Sequence, residues 1–425
     1  MAQQNTFANL TRRQWLRQAS LGAAATLGWA STSPIFAARQ KPRVAAIITE
    51  YRGYSHADVI VGRFVKGYTL GVQPYWPRCL VVSMYVDQVP PSDLSHGIAA
   101  QYGIRIEPTI DKALSRDGQQ LDVDGVLIVG EHGDYPQNEK GQHMYPRRRF
   151  YEAAVRTFEK TGRSVPVFND KHLGFAWDDA KWMYDQSRAM DFPLMAGSSL
   201  PTTWRRPDLE LPLDDELTEA VAVGFGGIEA YGFHALETLQ CMIERRRGGE
   251  SGVQAVTCLE GDAVWEAGQQ GLWSRALLDA ALARCDAKPE GRPEELCKQP
   301  IAFLIEHRDG FRSAVLNLNG YASNFAFAAH RKNQPQPLAT QFWLQEPNFG
   351  HFSYLVHNIE SLFLSGEEPY PCERTLLTTG VLDAAMNSRF KNHARLETPH
   401  LAEVAYRAPE TPGRRAMASD GKLPN

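Results

Sequence analysis

The pattern of apolar and polar positions divides the chain into two halves. Beyond residue 40, short runs rich in β-branched residues alternate with amphipathic segments of helical period, in the order β-α-β-α-β-α-β-α-β. This alternation predicts an α/β fold in which a mostly parallel, Rossmann-like, doubly wound sheet is covered by helices on both faces. The predicted strands cover residues 44–49, 79–87, 125–129, 165–168 and 193–197. The predicted helices cover residues 56–67, 93–102, 146–162 and 177–190, and a further short helix at 110–115 precedes the third strand.

The second half has a different period. A proline-rich, acidic stretch at residues 201–215 predicts a crossing between two domains. The strands and helices after it are typical of an α+β domain built on an open sheet. We therefore expect a nucleotide-binding-type domain over residues 39–200, an α+β substrate and oligomerisation domain over 201–406, and a flexible tail over 407–425. The second domain has predicted strands at 220–225, 255–259, 301–307, 313–318 and 340–344, and helices at 234–245, 353–364 and 374–389.

The N-terminus carries an export pattern. Arg12 and Arg13 precede an apolar run at residues 19–30, which is too short to span a bilayer and ends in small residues. The pattern predicts a twin-arginine signal peptide over residues 1–38. We therefore expect the Tat export machinery as a partner and a periplasmic or secreted protein that begins near Arg39. Twin-arginine substrates resemble one another in folding around a cofactor first, which favours a cofactor enzyme.

Composition narrows the range of partners. The 425 residues carry a formal net charge of -4 at pH 7, and the charged residues make up 22% of the chain. This balance gives no reason to expect nucleic acid as a partner. No segment after the signal approaches a spanning helix in length, so no stable membrane insertion is expected. The six cysteines show no C-x-x-C spacing, which favours buried free thiols, although Cys285 and Cys297 could pair after export.

Two short segments carry a family resemblance. The predicted strand at 165–168 leads into Asp170-Lys171-His172, and His234 lies on a predicted helix further along the chain. These segments resemble the Gfo/Idh/MocA oxidoreductases, the family of glucose-fructose oxidoreductase and inositol dehydrogenase, in which a strand followed by Glu-Lys-Pro supplies a lysine and a helix carries an inward histidine. The resemblance implies a tightly held NAD or NADP and a sugar or other polyhydroxylated small molecule as substrate. It also implies homo-oligomers that pair through the open sheet of the second domain.

The resemblance assigns Lys171 and His234 to the catalytic centre, with Lys171 also bordering the cofactor. Lys171 would hydrogen-bond a substrate hydroxyl and lower the cost of its deprotonation, while His234 or His172 would take the proton. Without the resemblance, a lysine after a strand is usually solvated and a histidine on an apolar helix face is usually a core residue. The arginines at 147–149 are interpreted as a solvated first turn of a helix, with anion binding as the alternative.

The loop after the first strand departs from the family pattern. A dinucleotide fold uses G-x-G-x-x-G there, because glycines allow a tight turn and the approach of the pyrophosphate to a helix N-terminus. Counting back from His56, which matches a histidine often found after the third family glycine, only Gly53 remains, and Glu50 replaces a glycine. A carboxylate about 4 Å from a phosphate charge costs roughly 4 kcal/mol at an effective dielectric near 20, unless Arg52 compensates. Asp87, which ends the second strand, is the candidate ligand of the ribose.

A second polar loop follows the predicted strand at 125–129. Glu131, His132 and Asp134 lie within four residues, at the edge of the sheet where ligands bind. Their carboxylates and imidazoles suit a divalent metal or proton transfer, or they cap backbone groups in a solvated loop. An alternative function is therefore a relative without a nicotinamide cofactor that uses a metal here for epimerisation, elimination or hydrolysis. A third is a non-catalytic periplasmic binding protein that keeps the two-domain cleft.

Overall fold

The computed structural model describes residues 40–286, 288–345, 349–411, 413 and 415–416. The predicted signal peptide at residues 1–38 lies outside the described residues, so export stays a prediction. Among the helices of the described ranges, none combines the length and the apolar composition that crossing a membrane requires.

The described residues form two main sheets, a small hairpin and the helices that cover them. The strands are β1 (Arg43–Ile48), β2 (Tyr68–Leu70), β3 (Gln73–Tyr75), β4 (Leu80–Val86), β5 (Arg105–Ile106), β6 (Gly125–Val129), β7 (Val167–Asp170), β8 (Leu194–Gly197), β9 (Trp204–Arg206), β10 (Leu217–Gly224), β11 (Val253–Glu260), β12 (Gln299–His307), β13 (Arg312–Asn319), β14 (Phe325–Arg331), β15 (Leu338–Trp343) and β16 (Leu396–Glu397). The helices are α1 (His56–Lys66), α2 (Ser95–Tyr102), α3 (Ile110–Leu114), α4 (Arg147–Thr161), α5 (Trp177–Ala189), α6 (Ala230–Ile243), α7 (Asp262–Gln269), α8 (Arg275–Leu282), α9 (Pro293–Leu296), α10 (Phe352–Ser365) and α11 (Glu373–Phe390).

The first sheet is parallel and has the order β5-β4-β1-β6-β7-β8. The strand order reverses at β1, because β4 lies on one side of it and β6 on the other. Alternate residues of a strand point to opposite faces. Val44, Ala46 and Ile48 therefore pack in one apolar cluster, and Ala45 and Ile47 pack in another. The predicted α/β fold is confirmed, and the short edge strand β5 is an addition to it.

The second sheet is mixed and has the order β16-β11-β12-β13-β10-β14-β15-β9. One face packs against α6 and α11, as an α+β domain requires. Helices α7 and α8 of the same chain pack on the other face. Trp265, Leu277 and Leu278 of these helices are buried against the alanines and valines of the sheet. Sequence analysis predicted neither these two helices nor β14.

The last helices of the chain pack against the first sheet as well as the second. Phe352, Leu355 and Ile359 of α10 lie in the same apolar cluster as Val44 and Ile48 of β1. Helix α11 contacts α5 of the first half and α6 and β11 of the second. The chain from residue 41 onwards accordingly forms one compact unit.

The tail from residue 407 is expected from the sequence to be flexible, and two of its described residues, Arg415 and Ala416, contact the body of the protein. Nη1 of Arg415 lies 2.6 Å from Asp208, and its Nε lies 2.8 Å from Glu210. The backbone N–H of Ala416 donates to the carbonyl of Thr202 at 2.8 Å. These contacts hold the segment because the long arginine side chain reaches carboxylates on the body of the protein.

All six cysteines lie in the described ranges, and each is a free, buried thiol. The buried free thiols that the sequence favours are therefore present, and Cys285 and Cys297 form no disulfide with each other. Burial raises the pKa of Cys285 to about 11. The thiol is protonated at neutral pH and is a poor nucleophile.

Candidate functional site

Four loops meet at the carboxyl edge of the first sheet. They follow β1, β6, β7 and β8, and the reversal of strand order lies between β1 and β6. Ligands of open parallel sheets bind at such a reversal, because the loops on its two sides diverge and leave a crevice. The four loops carry Glu50, Glu131, Lys171 and Ser198. The fold therefore gathers most of the predicted site residues at one edge.

Lys171 lies at the centre of this edge. Its φ of 61° is rare for a residue other than glycine, and its N–H donates to the carbonyl of Gly197 at 3.1 Å. Its Nζ lies 2.8 Å from Oε1 of Glu131, and the residue is 5% exposed. Arg147 pairs with the other oxygen of Glu131. The three side chains form a buried cluster of two cations and one anion.

Arg147 was interpreted as part of a solvated helix turn, which is wrong. Its side chain is 1% exposed and packs on Gly130, where a Cβ would lie 2.7 Å from Cγ of Arg147. Burial alone would raise the pKa of Glu131, but the charges of Lys171 and Arg147 outweigh burial and hold that pKa well below its ordinary value. Glu131 is therefore an anion at neutral pH.

His172 is fixed by two hydrogen bonds. Its Nδ1 lies 2.7 Å from the carbonyl of Gly174, and its Nε2 lies 3.3 Å from Nη1 of Arg147. Since a carbonyl only accepts, Nδ1 carries the proton and Nε2 accepts from Arg147. Burial, followed by the charge of Arg147, lowers the pKa of His172 well below its ordinary value. The geometry therefore does not favour the predicted role of His172 as proton acceptor.

His234 lies on α6 with Nδ1 2.6 Å from Oγ of Ser198. Oγ of Ser198 accepts the N–H of Leu200 at 3.1 Å, so its hydroxyl proton can point at Nδ1. The proton of the neutral imidazole then lies on Nε2. Burial, followed by the charge of Lys171, lowers the pKa of His234 well below its ordinary value. At neutral pH, His234 is a hydrogen-bond donor through Nε2.

A buried carboxyl group supports the loop after β8. Glu237 accepts the backbone N–H of Ser198 at 3.4 Å and the hydroxyl of Thr378 at 2.7 Å. Gly197 permits this approach, because a Cβ there would lie 2.7 Å from Oε2 of Glu237. Burial raises the pKa of Glu237 to about 6, against the opposing charge of Arg374. The carboxyl group therefore titrates close to neutral pH.

Sequence analysis did not propose His56 or Asp170 as site residues. Nδ1 of His56, the first residue of α1, lies 2.6 Å from Oδ2 of Asp170 at the end of β7. The ring of His132 contacts His56 edge-on, with 5.4 Å between centroids. Nδ1 of His132 lies 3.3 Å from Nη2 of Arg52, and burial lowers the pKa of His132 to about 4. The sequence signal for this pair was Asp170, the carboxylate next to Lys171. Its partner His56 lies 114 residues away, so the contact between them has no local signal.

The loop between β1 and α1 holds Glu50 and Gly53. The Glu50 side chain is 9% exposed, and its Oε1 accepts from Nε of Arg52 at 2.6 Å. A Cβ on Gly53 would meet nothing within 4 Å, so packing does not require a glycine there. At the start of α1, Oγ of Ser55 accepts the N–H of Asp58 at 3.4 Å, which caps the helix. The loop thus carries an internal ion pair and a capped helix terminus in place of bare glycine amides.

Asp87 follows β4 as expected, but three groups already use its carboxylate. The hydroxyls of Tyr85 and Tyr135 and Nη2 of Arg149 each donate to it at 2.6 Å. Burial would raise the pKa of Asp87, yet the hydrogen bonds from Arg149 and Tyr135 hold it below its ordinary value. A ribose hydroxyl bound here would share an acceptor with these donors.

The predicted metal site at Glu131, His132 and Asp134 is not formed. Cations bind both oxygens of Glu131. The side chain of Asp134 is exposed, while its backbone exchanges two hydrogen bonds with Gln88. Across the described residues, no group of three or more His, Cys, Asp or Glu side chains could hold a metal ion. The loop is organised by salt bridges and backbone pairing instead.

Solved oxidoreductase structures share this architecture. GenD2 from gentamicin A biosynthesis, solved in complex with NAD, matches with a TM-score of 0.53 over 84% of this chain and 97% of that chain, at 14% identity. A scyllo-inositol dehydrogenase from Lactobacillus casei, solved with NAD(H) and scyllo-inositol, matches with a TM-score of 0.51 over 84% and 99%, at 10% identity. A putative myo-inositol dehydrogenase from Sinorhizobium meliloti 1021 gives 0.51 over 84% and 99%, at 13% identity.

The chain has the Gfo/Idh/MocA fold. No protein-family model matches it, and no curated protein matches it in sequence. The resemblance drawn from the sequence is confirmed at the level of the fold. Because one fold hosts many activities, the activity has to be argued from the site.

Proposed function

We propose that the protein is an oxidoreductase that transfers a hydride between a C–OH carbon of a polyhydroxylated small molecule and NAD or NADP. The observation that carries the proposal is the convergence of Lys171 and His234 at the carboxyl edge of the Gfo/Idh/MocA fold. Lys171 hydrogen-bonds Gly197, and His234 hydrogen-bonds Ser198, the next residue. The two residues that the resemblance assigns to the reaction centre therefore both contact the end of β8.

The solved structures indicate which ligands to test. GenD2 is solved in complex with NAD, and the Lactobacillus casei enzyme is solved with NAD(H) and scyllo-inositol. A nicotinamide cofactor and a sugar or cyclitol are accordingly the ligands that we propose for this chain. A metal-dependent reaction at Glu131, His132 and Asp134 finds no support in the geometry, since no metal site forms there among the described residues.

The residues at the carboxyl edge fit a nicotinamide cofactor, with one change from the glycine-loop pattern. Nε2 of His132 is buried and finds no hydrogen-bond partner among the described residues, which makes it a donor for an oxygen of the cofactor or substrate. At the β1–α1 loop, the available cation is Arg52, whose side chain is 43% exposed. Arg52 would pair with a dinucleotide phosphate in place of glycine amides, in competition with Glu50. Asp87 is the proposed ligand of the ribose, which would share the carboxylate with Tyr85, Tyr135 and Arg149.

In this proposal, residues of the chain bind and orient the substrate and supply charge at its reacting oxygen. When bound, NAD or NADP supplies the hydride acceptor. Nζ of Lys171 and the Nε2–H of His234 are the donors that would hold the substrate oxygen as its proton leaves. Glu131 fixes the position of Nζ through the 2.8 Å ion pair. Because these groups are shielded from water, their charges act more strongly on the reacting oxygen than they would in solvent.

Cofactor binding and turnover test the proposal. The full chain is titrated with NADH and with NADPH by nicotinamide fluorescence, and NAD(P)-linked oxidation is then measured on a panel of sugars, cyclitols and their acids. We expect saturable binding of one nucleotide and turnover that Lys171→Ala removes, while the exposed Lys181→Ala retains it. Failure of both nucleotides to bind would overturn the proposal, and polyol binding without turnover would then favour the non-catalytic binding protein.

We further propose that the protein is exported by the twin-arginine pathway and loses residues 1–38. The paired arginines Arg12 and Arg13 and the short apolar run after them support this. N-terminal sequencing after cell fractionation is the test. A periplasmic protein that begins near Arg39 is expected, and replacing both arginines by lysine should retain it in the cytoplasm, whereas Arg17→Lys should not. An uncleaved cytoplasmic protein would contradict export.

A further inference from the structure

His56 and Asp170 form an imidazole–carboxylate pair that the roles above leave unused. Nδ1 of His56 lies 2.6 Å from Oδ2 of Asp170. The carboxylate is 1% exposed, whereas the imidazole is 15% exposed. In such a pair, the buried anion orients the ring and stabilises the imidazolium that forms when the second nitrogen takes a proton. Since Nδ1 is bound to Asp170, the nitrogen that can accept a proton is Nε2.

The other imidazoles at this edge are poorer proton acceptors. Burial is the first cause that lowers the pKa of His132 to about 4 and that of His351 to about 3. Burial likewise lowers the pKa of His234, whose Nδ1 is bound to a hydroxyl. His172 has both nitrogens in hydrogen bonds. Within the described ranges, none of these four rings hydrogen-bonds a carboxylate, so none has an anion to stabilise its charged form.

The groups that surround His56 come from several elements. Asp170 ends β7, Glu131 and His132 lie on the loop after β6, His234 lies on α6, and His351 precedes α10. At neutral pH the three surrounding histidines are uncharged, because their pKa values are lowered. The carboxylates of this group are Asp170 and Glu131, and its cations are Lys171, which pairs with Glu131, and Arg52, which contacts His132.

We propose that His56, oriented by Asp170, is the general base that takes the hydroxyl proton of the substrate while Lys171 and His234 hold the oxygen. The O–H bond breaks, its electron pair stays on oxygen, and the proton passes to Nε2 of His56. The product is an imidazolium paired with the carboxylate. This assignment rests on the proposed function, because it requires an alcohol substrate oxidised by a nicotinamide. Asp170 is a positioning residue, since it acts through His56.

The pH dependence of turnover tests the assignment in the full-chain protein. Three variants are compared with wild type: His56→Gln, Asp170→Asn and the control His96→Gln. His96 is a matched control because it also faces a carboxylate, Asp93 at 3.6 Å, but its side chain is 66% exposed on α2. Circular dichroism establishes folding, and nucleotide fluorescence measures cofactor affinity for each variant. The remaining readout is kcat/KM as a function of pH.

We expect kcat/KM of wild type to fall on the acidic side, as the base becomes protonated. His56→Gln should lose this fall and about 100-fold or more of the activity, with unchanged cofactor affinity. Asp170→Asn should shift the acidic fall to lower pH, because the anion that stabilises the imidazolium is gone. If His56→Gln does not fold, the pH profile of Asp170→Asn alone tests the assignment. His96→Gln should match wild type.

The experiment distinguishes failure of the proposed function from failure of the base assignment. If wild type turns over no alcohol with either nucleotide, the proposed function fails and the base assignment fails with it. If wild type is active but His56→Gln and Asp170→Asn keep its pH profile, the base assignment alone is overturned. A loss of cofactor affinity that accounts for the whole loss of activity in His56→Gln would also overturn it, since His56 would then be a binding residue.

Discussion

The ammonium group of Lys171 lies 2.8 Å from the carboxylate of Glu131, and both side chains are about 6% exposed. This pair joins the two loops that the sequence suggested for different chemistries, one for hydride transfer and one for a metal. Neighbouring parallel strands β6 and β7 end at the same edge, so residues 40 positions apart meet. The carboxylate that could have bound a metal instead positions the lysine.

Replacing Lys171 by alanine tests its place at the reacting carbon. Lys171→Ala should lower kcat/KM by about 100-fold or more, because the group that stabilises the developing negative charge on oxygen is removed. Steady-state kinetics measure the loss. The protein should stay folded, since Glu131 keeps its pair with Arg147. Unchanged rates would remove Lys171 from the mechanism, and Lys181→Ala, which is exposed on α5, gives the baseline.

Replacing Glu131 by glutamine leaves Lys171 and Arg147 buried without their counter-charge. Glu131→Gln should lower the free energy of unfolding by about 3–5 kcal/mol, the usual cost of removing one partner of a buried pair. Urea denaturation at neutral pH measures this. A loss below about 1 kcal/mol, the range of exposed pairs such as the one made by Glu152, would show that the cluster is open to water.

The stabilising effect of Glu131 also depends on pH. Its pKa is lowered in the folded protein from an ordinary value of 4.5, so the unfolded chain binds the proton more readily. The stabilisation is fully present above pH 4.5 and is lost as the pH falls towards the folded pKa. The stability difference between wild type and Glu131→Gln should therefore shrink in acid. A difference that stays constant down to pH 3 would contradict the lowered pKa.

Glu237 should change the pH dependence of stability in the opposite direction to Glu131. Its pKa rises from 4.5 to about 6 on folding, so the folded protein keeps the proton longer, and stability falls as the pH rises through this interval. Above pH 6 the cost amounts to about 2 kcal/mol. Glu237→Gln should therefore be more stable than wild type by about this amount at pH 8, and close to it at pH 4. Thermal unfolding across pH measures the crossover, with Glu152→Gln as the exposed control.

Deleting residues 408–425 tests the packing of the chain's end. Arg415 loses its contacts to Asp208 and Glu210 in this variant, and charged hydrogen bonds contribute about 1.5–3 kcal/mol. The free energy of unfolding should fall by at least that amount in urea denaturation. Arg415→Ala in the full chain should reproduce most of the loss, whereas Arg407→Ala, which is 69% exposed, should not. Equal stability of the truncated chain would show that the contacts contribute nothing.

The regular elements of the fold could be predicted because their signals are local. The strand Gly125–Val129 and the helix Trp177–Ala189 are recognisable from a few neighbouring residues, and both are confirmed. Strand Phe325–Arg331 was missed because its first five residues are alanine and phenylalanine, with no β-branched residue among them. Helices α7 and α8 were missed although they bury apolar faces on the second sheet.

The candidate site could be predicted only in part, because its contacts are distant in sequence. Lys171 and His234 were found through the resemblance, and they do reach the same edge. The partner of His56 lies 114 residues away, so its contact with Asp170 has no local signal. Arg147 could not be told from the two arginines beside it, since its burial depends on the missing side chain of Gly130. The roles of these residues stay predictions.

Helix α10 determines when the core of the first sheet can be completed during synthesis. It comes from the far end of the chain, yet it fills the core beneath β1. During synthesis, this face of the first sheet is therefore covered only in part, by α1 and α2, until residues 352–365 have left the ribosome. A fragment ended near residue 200 would lack the apolar side chains of α10 that complete this core, and such incomplete cores favour aggregation. The core of the first sheet is therefore complete only when the last fifth of the chain has been made.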